Sequence, residues 1–584
     1  MLWLDKAQRF LFFTGKGGVG KTSISAASAI ALADAGKRVL LVSTDAASNL
    51  DEMLGITLQN VPVPVPGVPG LTCINIDPDV ATLAYRQRVI AQMGAVASAA
   101  EKAAVTEQLS GACTTEIASF DEFSSLLAQA HSHYDHIVFD TAPSGHTLRL
   151  LSLPKAWSGF LAHNDQGASC LGPHSGLKMQ EARFNQALAA LSDPARTAVI
   201  LVARPETSAL QEAARTSIEL LALGLSNQRL IVNGVFHASQ PQDPIARAIE
   251  QQGAKALAAL PQALALLQRD DVPLRSFDSV GLAALRALLG DGENLITPHL
   301  DTLQVHAQKS IAALLDDLAQ QDYGLVMVMG KGGVGKTTIA AALALGLLAK
   351  GKTVHLSTTD PAAHLAQTLA QEVPGLRVSR IDPKAETQRY IDKMMASKAA
   401  LSADEKALLL EDLQSPCTEE VAVFHAFSHI VAQARHGFVV LDTAPTGHSL
   451  LLMDAAGAYH RQILSTYPQA GGAALSLITP LMRMQDKDYT KIILVTLPES
   501  TPVSQAAALQ EDLRRAKIEP YAWVLNRSVL AAHPSDPLLR ARLQGEVAQK
   551  SRIEAGLSSN LFAIAFQPEP PVGLHALRGL LAAQ

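Results

Sequence analysis

"FFTGKGGVGKTS", Phe12 to Ser23, returns as "MVMGKGGVGKTT", Met327 to Thr338. Each copy holds G-x-x-x-x-G-K-[ST], Gly15 to Thr22 and Gly330 to Thr337, between an apolar run that reads as a strand and an Ala/Leu-rich run that reads as a helix. In such a loop Gly15, Gly17, Gly18 and Gly20, like Gly330, Gly332, Gly333 and Gly335, let backbone N–H groups close on phosphate oxygens at a helix N-terminus. Lys21 and Lys336 then reach the β/γ-phosphates, Thr22 and Thr337 suit Mg2+, and the adjoining Ser23 and Thr338 are expected to bind the nucleotide as well. One such match can be accidental. Two, each in a strand-to-helix context, predict two phosphate-binding sites.

The repetition extends outward from the loops. "LLVSTDAASNL" returns as "VHLSTTDPAAHL", "IVFDTAPSGH" as "VVLDTAPTGH", "LVARPETSAL" as "LVTLPESTPV" and "IVNGVF" as "WVLNRSV", in the same order. The chain is a tandem duplication. Apolar β-rich runs alternate with Ala/Leu-rich helical ones, which predicts an α/β fold: two P-loop NTPase domains, each a mainly parallel sheet with helices on both faces, paired as a pseudo-two-fold intramolecular dimer. The expected boundaries are 1–292 for the first domain, a polar and partly helical linker at 293–321, and 322–584 for the second. "NVPVPVPGVPG", Asn60 to Gly70, is too proline-rich for a helix and reads as an extended surface loop.

Composition narrows the function. The 584 residues are 48% hydrophobic and 17% charged with a net charge of −6, so no polybasic face points to nucleic acid. Four cysteines make no disulfide framework and favour a reducing compartment. No uncharged apolar run approaches the roughly 18–20 residues that span a bilayer. A cytoplasmic protein is expected, without direct membrane insertion and with any membrane role reached through a partner.

Hydrolysis needs carboxylates at strand ends. Asp140 and Asp442 follow "IVF" and "VVL" and suit Mg2+, directly or through water; Asp45 and Asp360 follow "LLVST" and "HLSTT" and would orient the attacking water near the metal. Any one of them would also serve as a helix cap, but all four end strands, where open parallel sheets place ligands. Asn233 and Asn526 carry amides that suit an adenine edge or a turn. Arg204 in "ARPE" is matched by Leu497 in "TLPE" in the second copy, so the two base pockets are expected to differ.

Each loop has a second lysine, Lys16 and Lys331, that the ordinary pattern does not require. This "KGGVGKT" form resembles the signature-lysine, or deviant Walker A, ATPases, in which that lysine crosses to the other subunit's nucleotide. The resemblance implies that Lys16 serves the second half's ATP and Lys331 the first half's; a lysine aiding phosphate in cis is the simpler alternative. Cys113 in "GACTTEIASF" and Cys417 in "SPCTEEVAVF" hold equivalent places, Cys170 in "GASCLGP" has no counterpart, and Cys73 aligns with Val378, which marks it as a core residue.

With "DTAPSGHTLRLL", "DTAPTGHSLLLM" and "GASCLGP", these features resemble the arsenical pump ATPase (ArsA) family along essentially the whole chain. That resemblance implies an ATP- and Mg2+-dependent ATPase stimulated by As(III) or Sb(III) held by Cys113, Cys170 and Cys417, with His146, His448 and Ser415 as secondary ligands. Soft trivalent centres prefer thiolates, which agrees. It further implies efflux of arsenite or antimonite through an ArsB-like membrane carrier, peripheral association with the inner membrane, delivery of As(III) by a metallochaperone, and action as a monomer with two pseudo-symmetric halves. The alternative is an ATP-dependent targeting chaperone for tail-anchored membrane proteins, whose C-x-x-C zinc motif is missing here. "STDAA" departs from the usual "STDPA" at Ala46, which bears on the geometry of the first switch loop.

Overall fold

The computed structural model describes residues 2–44, 49–92, 98, 118, 121–127, 133–141, 186–187, 189–290, 309–360, 365–397, 410, 413, 416–443 and 479–581. Spatial contacts divide the chain into two units. One comprises Met1–Gln242, Ala246–His299 and Asp536–Ala541; the other comprises Asp243–Ile245, Leu300–Ser535 and Arg542–Gln584.

In the first unit the strands are β1 (Phe10–Thr14), β2 (Val39–Ser43), β3 (Val63–Pro64), β4 (Leu71–Asn75), β5 (His136–Asp140), β6 (Thr197–Ala203), β7 (Gln228–Val235) and β8 (Gln268–Pro273). Their order across the sheet is β3-β4-β2-β5-β1-β6-β7-β8. The second unit holds β9 (Lys309–Ser310), β10 (Gly324–Met329), β11 (Val354–Thr358), β12 (Leu376–Arg380), β13 (Phe438–Asp442), β14 (Thr490–Thr496), β15 (Ala522–Ser528) and β16 (Leu561–Ala565). Its order is β12-β11-β13-β10-β14-β15-β16-β9. Apart from the antiparallel β3–β4 pair, adjacent strands run parallel. The α/β architecture expected from the duplicated sequence is therefore present in both units.

The second sheet shows why its central strands are apolar throughout. Val326 and Val328 of β10 belong to one buried cluster, whereas Leu325, Met327 and Met329 belong to another. Successive side chains leave a strand on opposite faces, so a strand covered on both sides needs an unbroken apolar run rather than alternation. The helix Lys336–Ala349 follows the same logic. Ile339 to Leu345 are all fully buried, so it is apolar around its whole circumference.

Two segments differ from their expected form. The proline-rich run is not merely a surface loop: Val63 and Pro64 pair with Cys73 and Thr72, and Val65 and Val68 are buried. Proline lacks an N–H, which confines such a strand to the sheet edge it occupies here. Within the segment read as linker, residues 309–318 are built into the second unit. Lys309 and Ser310 pair with β16, and Ile311, Leu314, Leu315 and Leu318 of the following helix are buried at helical spacing. Cys73 lies fully buried in β4, and desolvation pushes its thiol up to about 12, as suits a packing residue.

Candidate functional site

β1 lies between β5 and β6, and β10 between β13 and β14. At this point the chain leaves its first strand and returns on either side, so the carboxyl ends of the strands open a crevice. The phosphate loops sit there. Helices Lys21–Asp34 and Lys336–Ala349 start directly after Gly20 and Gly335, whose φ values of 85° and 97° are left-handed. Neither helix has a side-chain cap, which leaves first-turn N–H groups directed at the loop. A Cβ on Gly15 would lie 2.3 Å from the Val202 carbonyl oxygen, and one on Gly330 would lie 2.3 Å from that of Val495. Only glycine lets the loop press so closely on the neighbouring strand.

Asn233 and Asn526 brace this cradle. Their Nδ2 groups donate to the carbonyls of Val19 at 2.9 Å and Val334 at 2.8 Å. A Cβ on Gly20 or Gly335 would stand 2.2 Å from those same nitrogens. The amide nitrogen expected at an adenine edge is thus engaged with the loop, and Asn526 Oδ1 accepts from the Arg527 N–H at 2.9 Å.

Lys21 is buried with its Nζ 3.7 Å from Oδ1 of fully buried Asp140. Lys336 donates to the Lys331 carbonyl at 3.0 Å, and the Thr337 hydroxyl donates to Asp442 Oδ2 at 2.8 Å. Burial pushes the Asp442 carboxyl up to about 6, and nearby Asp360 pushes the same way; the hydroxyls of Thr337 and Thr358 and the charge of Lys336 pull it down. Its Oδ1 is buried and accepts no hydrogen bond. A buried carboxylate oxygen left open beside a P-loop threonine fits Mg2+. Thr337, Asp442 and Asp360 would hold the ion in the second unit, and Thr22 and Asp140 in the first, where it would neutralise charge on the β- and γ-phosphates.

Three threonines escaped the sequence reading. Thr141 and Thr443, next to Asp140 and Asp442, donate from Oγ1 to the Phe13 carbonyl at 2.7 Å and the Val328 carbonyl at 3.0 Å. They tie the carboxylate strand to the P-loop strand in both units. Thr358 donates to Asp442 Oδ2 at 3.1 Å and accepts from the Asp360 N–H at 3.1 Å, linking the two acidic positions. Their signal was the repeated "DTAP" and the hydroxyl residues ending β2 and β11.

Lys16 and Lys331 lie half-buried on the loops, and Ser23 and Thr338 lie in the first helical turns. Arg204 follows β6, with its guanidinium beside Gly234 of β7. Asp45, Cys113, His146, Cys170, Ser415 and His448 lie outside the described residues. Cys417 is in the first turn of the helix Pro416–Gln433, which starts on a proline as helices favour. No described helix is long and apolar enough to cross a membrane.

A family model described as "Anion-transporting ATPase" matches residues 8–291 and 323–482. The chain belongs to this ATPase family. It is 48% identical to an arsenical pump-driving ATPase of Escherichia coli over 586 residues, covering 100% of both chains. It is 49% identical to one of Acidiphilium multivorum over 587 residues, again covering 100% of each. Similarity to the ATPase GET3 of Kluyveromyces lactis is 32% over 263 residues, covering 40% of this chain and 74% of that protein. Membership makes the chain an ATPase.

Proposed function

We propose that the protein hydrolyses ATP at both cradles in response to trivalent arsenic or antimony, and that the cycle energises extrusion of arsenite or antimonite through a membrane carrier of the ArsB kind. The observation that carries the reading is end-to-end similarity to arsenical pump-driving ATPases in a chain that also keeps Cys113, Cys170 and Cys417 in their motifs. Three thiolates satisfy a pyramidal trivalent centre better than carboxylates or water, and His146, His448 and Ser415 supplement them.

In each cradle the glycine loop and first-turn N–H groups hold the phosphates, and Lys21 or Lys336 offsets charge on the β/γ oxygens. Bound Mg2+ adds Lewis-acid stabilisation of the transferring phosphoryl group. Asp45 and Asp360 orient the attacking water; Lys16 and Lys331 add positive charge where it develops in the transition state. The protein works at the cytoplasmic side of the inner membrane, held there by the carrier and supplied with As(III) by a metallochaperone.

Inverted membrane vesicles bearing such a carrier test the reading. ATP-driven accumulation of arsenite should appear when the protein is added and vanish with Lys21→Ala/Lys336→Ala. Equal accumulation without the protein would reject it. The targeting-chaperone alternative has weaker support, since the GET3-named relative matches 40% of the chain and no C-x-x-C is present.

A further inference from the structure

The two halves repeat the phosphate loop, the aspartates and the bracing asparagine, yet an arginine changes strand between them. Arg204 follows β6, and its counterpart after β14 is Leu497; Gly234 follows Asn233 in β7, and its counterpart in β15 is Arg527. The half that loses an arginine at one position has one at the other.

The backbone makes the two positions equivalent. Pairing of β7 with β8 shifts register between Asn233 and Val235, and pairing of β15 with β16 shifts between Leu525 and Ser528. The bulged residue is left-handed in both, with φ of 87° at Gly234 and 60° at Arg527. A Cβ on Gly234 would stand 3.1 Å from Arg204 Nη1 and 3.7 Å from Leu274 Cδ1. The Arg204 guanidinium thus lies where a side chain at 234 would begin. Arg527 begins its side chain at that place, and its guanidinium carbon is 5.7 Å from the ring centroid of Phe566, the residue after β16 as Leu274 is the residue after β8. Arginine is not a residue that favours positive φ, and such a conformation costs about 1–3 kcal/mol. Strain held at a bulge beside a ligand loop points to use of the side chain there.

The position of the bulge bears on which part of a nucleotide it would meet. Asp140 on β5 and Asp442 on β13, as the proposed Mg2+ ligands, would put the γ-phosphate end on one side of the P-loop strand. The rest of a linear nucleotide extends to the other side, over β6 and β7 or β14 and β15. The bulged residue directly follows the asparagine whose amide donates to the loop. A planar guanidinium stacks on a flat aromatic ring and donates to ring nitrogens or a ribose hydroxyl. We propose that Arg204 in the first half and Arg527 in the second are equivalent contacts to the nucleoside part of ATP, one per site, delivered from different strands. The inference rests on the ATPase reading and adds to it the residue that grips the base side in each half.

Calorimetric titration of the full chain with ATP and with inorganic tripolyphosphate, which lacks base and ribose, tests this. Arg204→Leu should weaken ATP at one site by roughly tenfold and leave tripolyphosphate unchanged. Arg204→Leu/Gly234→Arg, which copies the second half's arrangement, should recover most of the loss. Arg527→Gly should weaken ATP at the other site while raising the melting temperature, because strain is released; a merely structural arginine would lower both. ATP affinity unchanged in both single variants, or an equal loss for tripolyphosphate, would overturn the proposal while leaving the ATPase reading intact. A parent chain that binds no ATP would overturn both.

Discussion

Asp442 and Cys73 are both fully buried and respond oppositely to substitution. The Asp442 carboxyl, pushed up to about 6 by burial, is costly to keep charged without a cation. Asp442→Asn removes that cost and keeps the hydrogen-bonding shape. We expect unchanged or slightly raised thermal stability together with a loss of about 10²-fold or more in turnover, since the charge proposed to hold Mg2+ is gone. Melting curves and steady-state ATPase assays read the two effects. For Cys73 burial pushes the folded thiol up to about 12, above an unfolded value of about 8.5. A raised folded value means that its stability contribution is intact below about 8.5 and is lost as pH rises toward about 12, with a slope of up to roughly 1.4 kcal/mol per pH unit. Cys73→Ala should abolish that share of the alkaline slope in urea melts; an unaltered slope would show that the buried thiol does not control it. The core role of Cys73 was legible because its repeat partner is valine. The threonines that fasten the aspartates were not, since a hydroxyl beside an acid has no signature until the strands are paired.

Among the elements, the bulge after Asn526 carries the clearest expectation. Buried Glu546 accepts from the N–H groups of Val529 and Leu530, each at 3.0 Å, and from the Ser528 hydroxyl, so one carboxylate holds the turn that follows β15. Glu546→Ala leaves these donors unsatisfied and should cost about 2–4 kcal/mol, the penalty of one to several orphaned buried groups. Chemical denaturation measures it, and a cost under about 0.5 kcal/mol would contradict the assignment. Asn233→Ala and Asn526→Ala each remove the brace on a phosphate-loop carbonyl. They should weaken ATP by roughly tenfold, the value of one good hydrogen bond, and tripolyphosphate by a similar factor, which separates them from the arginine variants. At this scale the sequence was readable where chemistry repeats: strand, loop, helix and aspartate recur in order. It was less readable where packing decides. The proline-rich run joins a sheet edge because Val65 and Val68 find a core, and residues 309–318 join the second unit because four apolar residues face inward. A polar average hid the first turn of that pattern.

At the scale of the whole molecule, duplication supplies two cradles with the same parts and different wiring. The arginine proposed for the base side follows β6 in the first half, as Arg204, and lies within β15 in the second, as Arg527. Unequal nucleotide affinity at the two sites follows, and calorimetry of the parent chain should resolve two classes rather than one. The metalloid claim rests on residues that no single half contains, since Cys113 and Cys170 belong to the first copy and Cys417 to the second. The most direct test is steady-state ATP hydrolysis with and without antimonite in the parent, Cys113→Ser, Cys170→Ser and Cys417→Ser, with Cys73→Ser as a control outside the set. Stimulation is expected in the parent and the control and its loss in the three variants, with basal turnover retained. No stimulation in the parent, or full stimulation in all three variants, would contradict it.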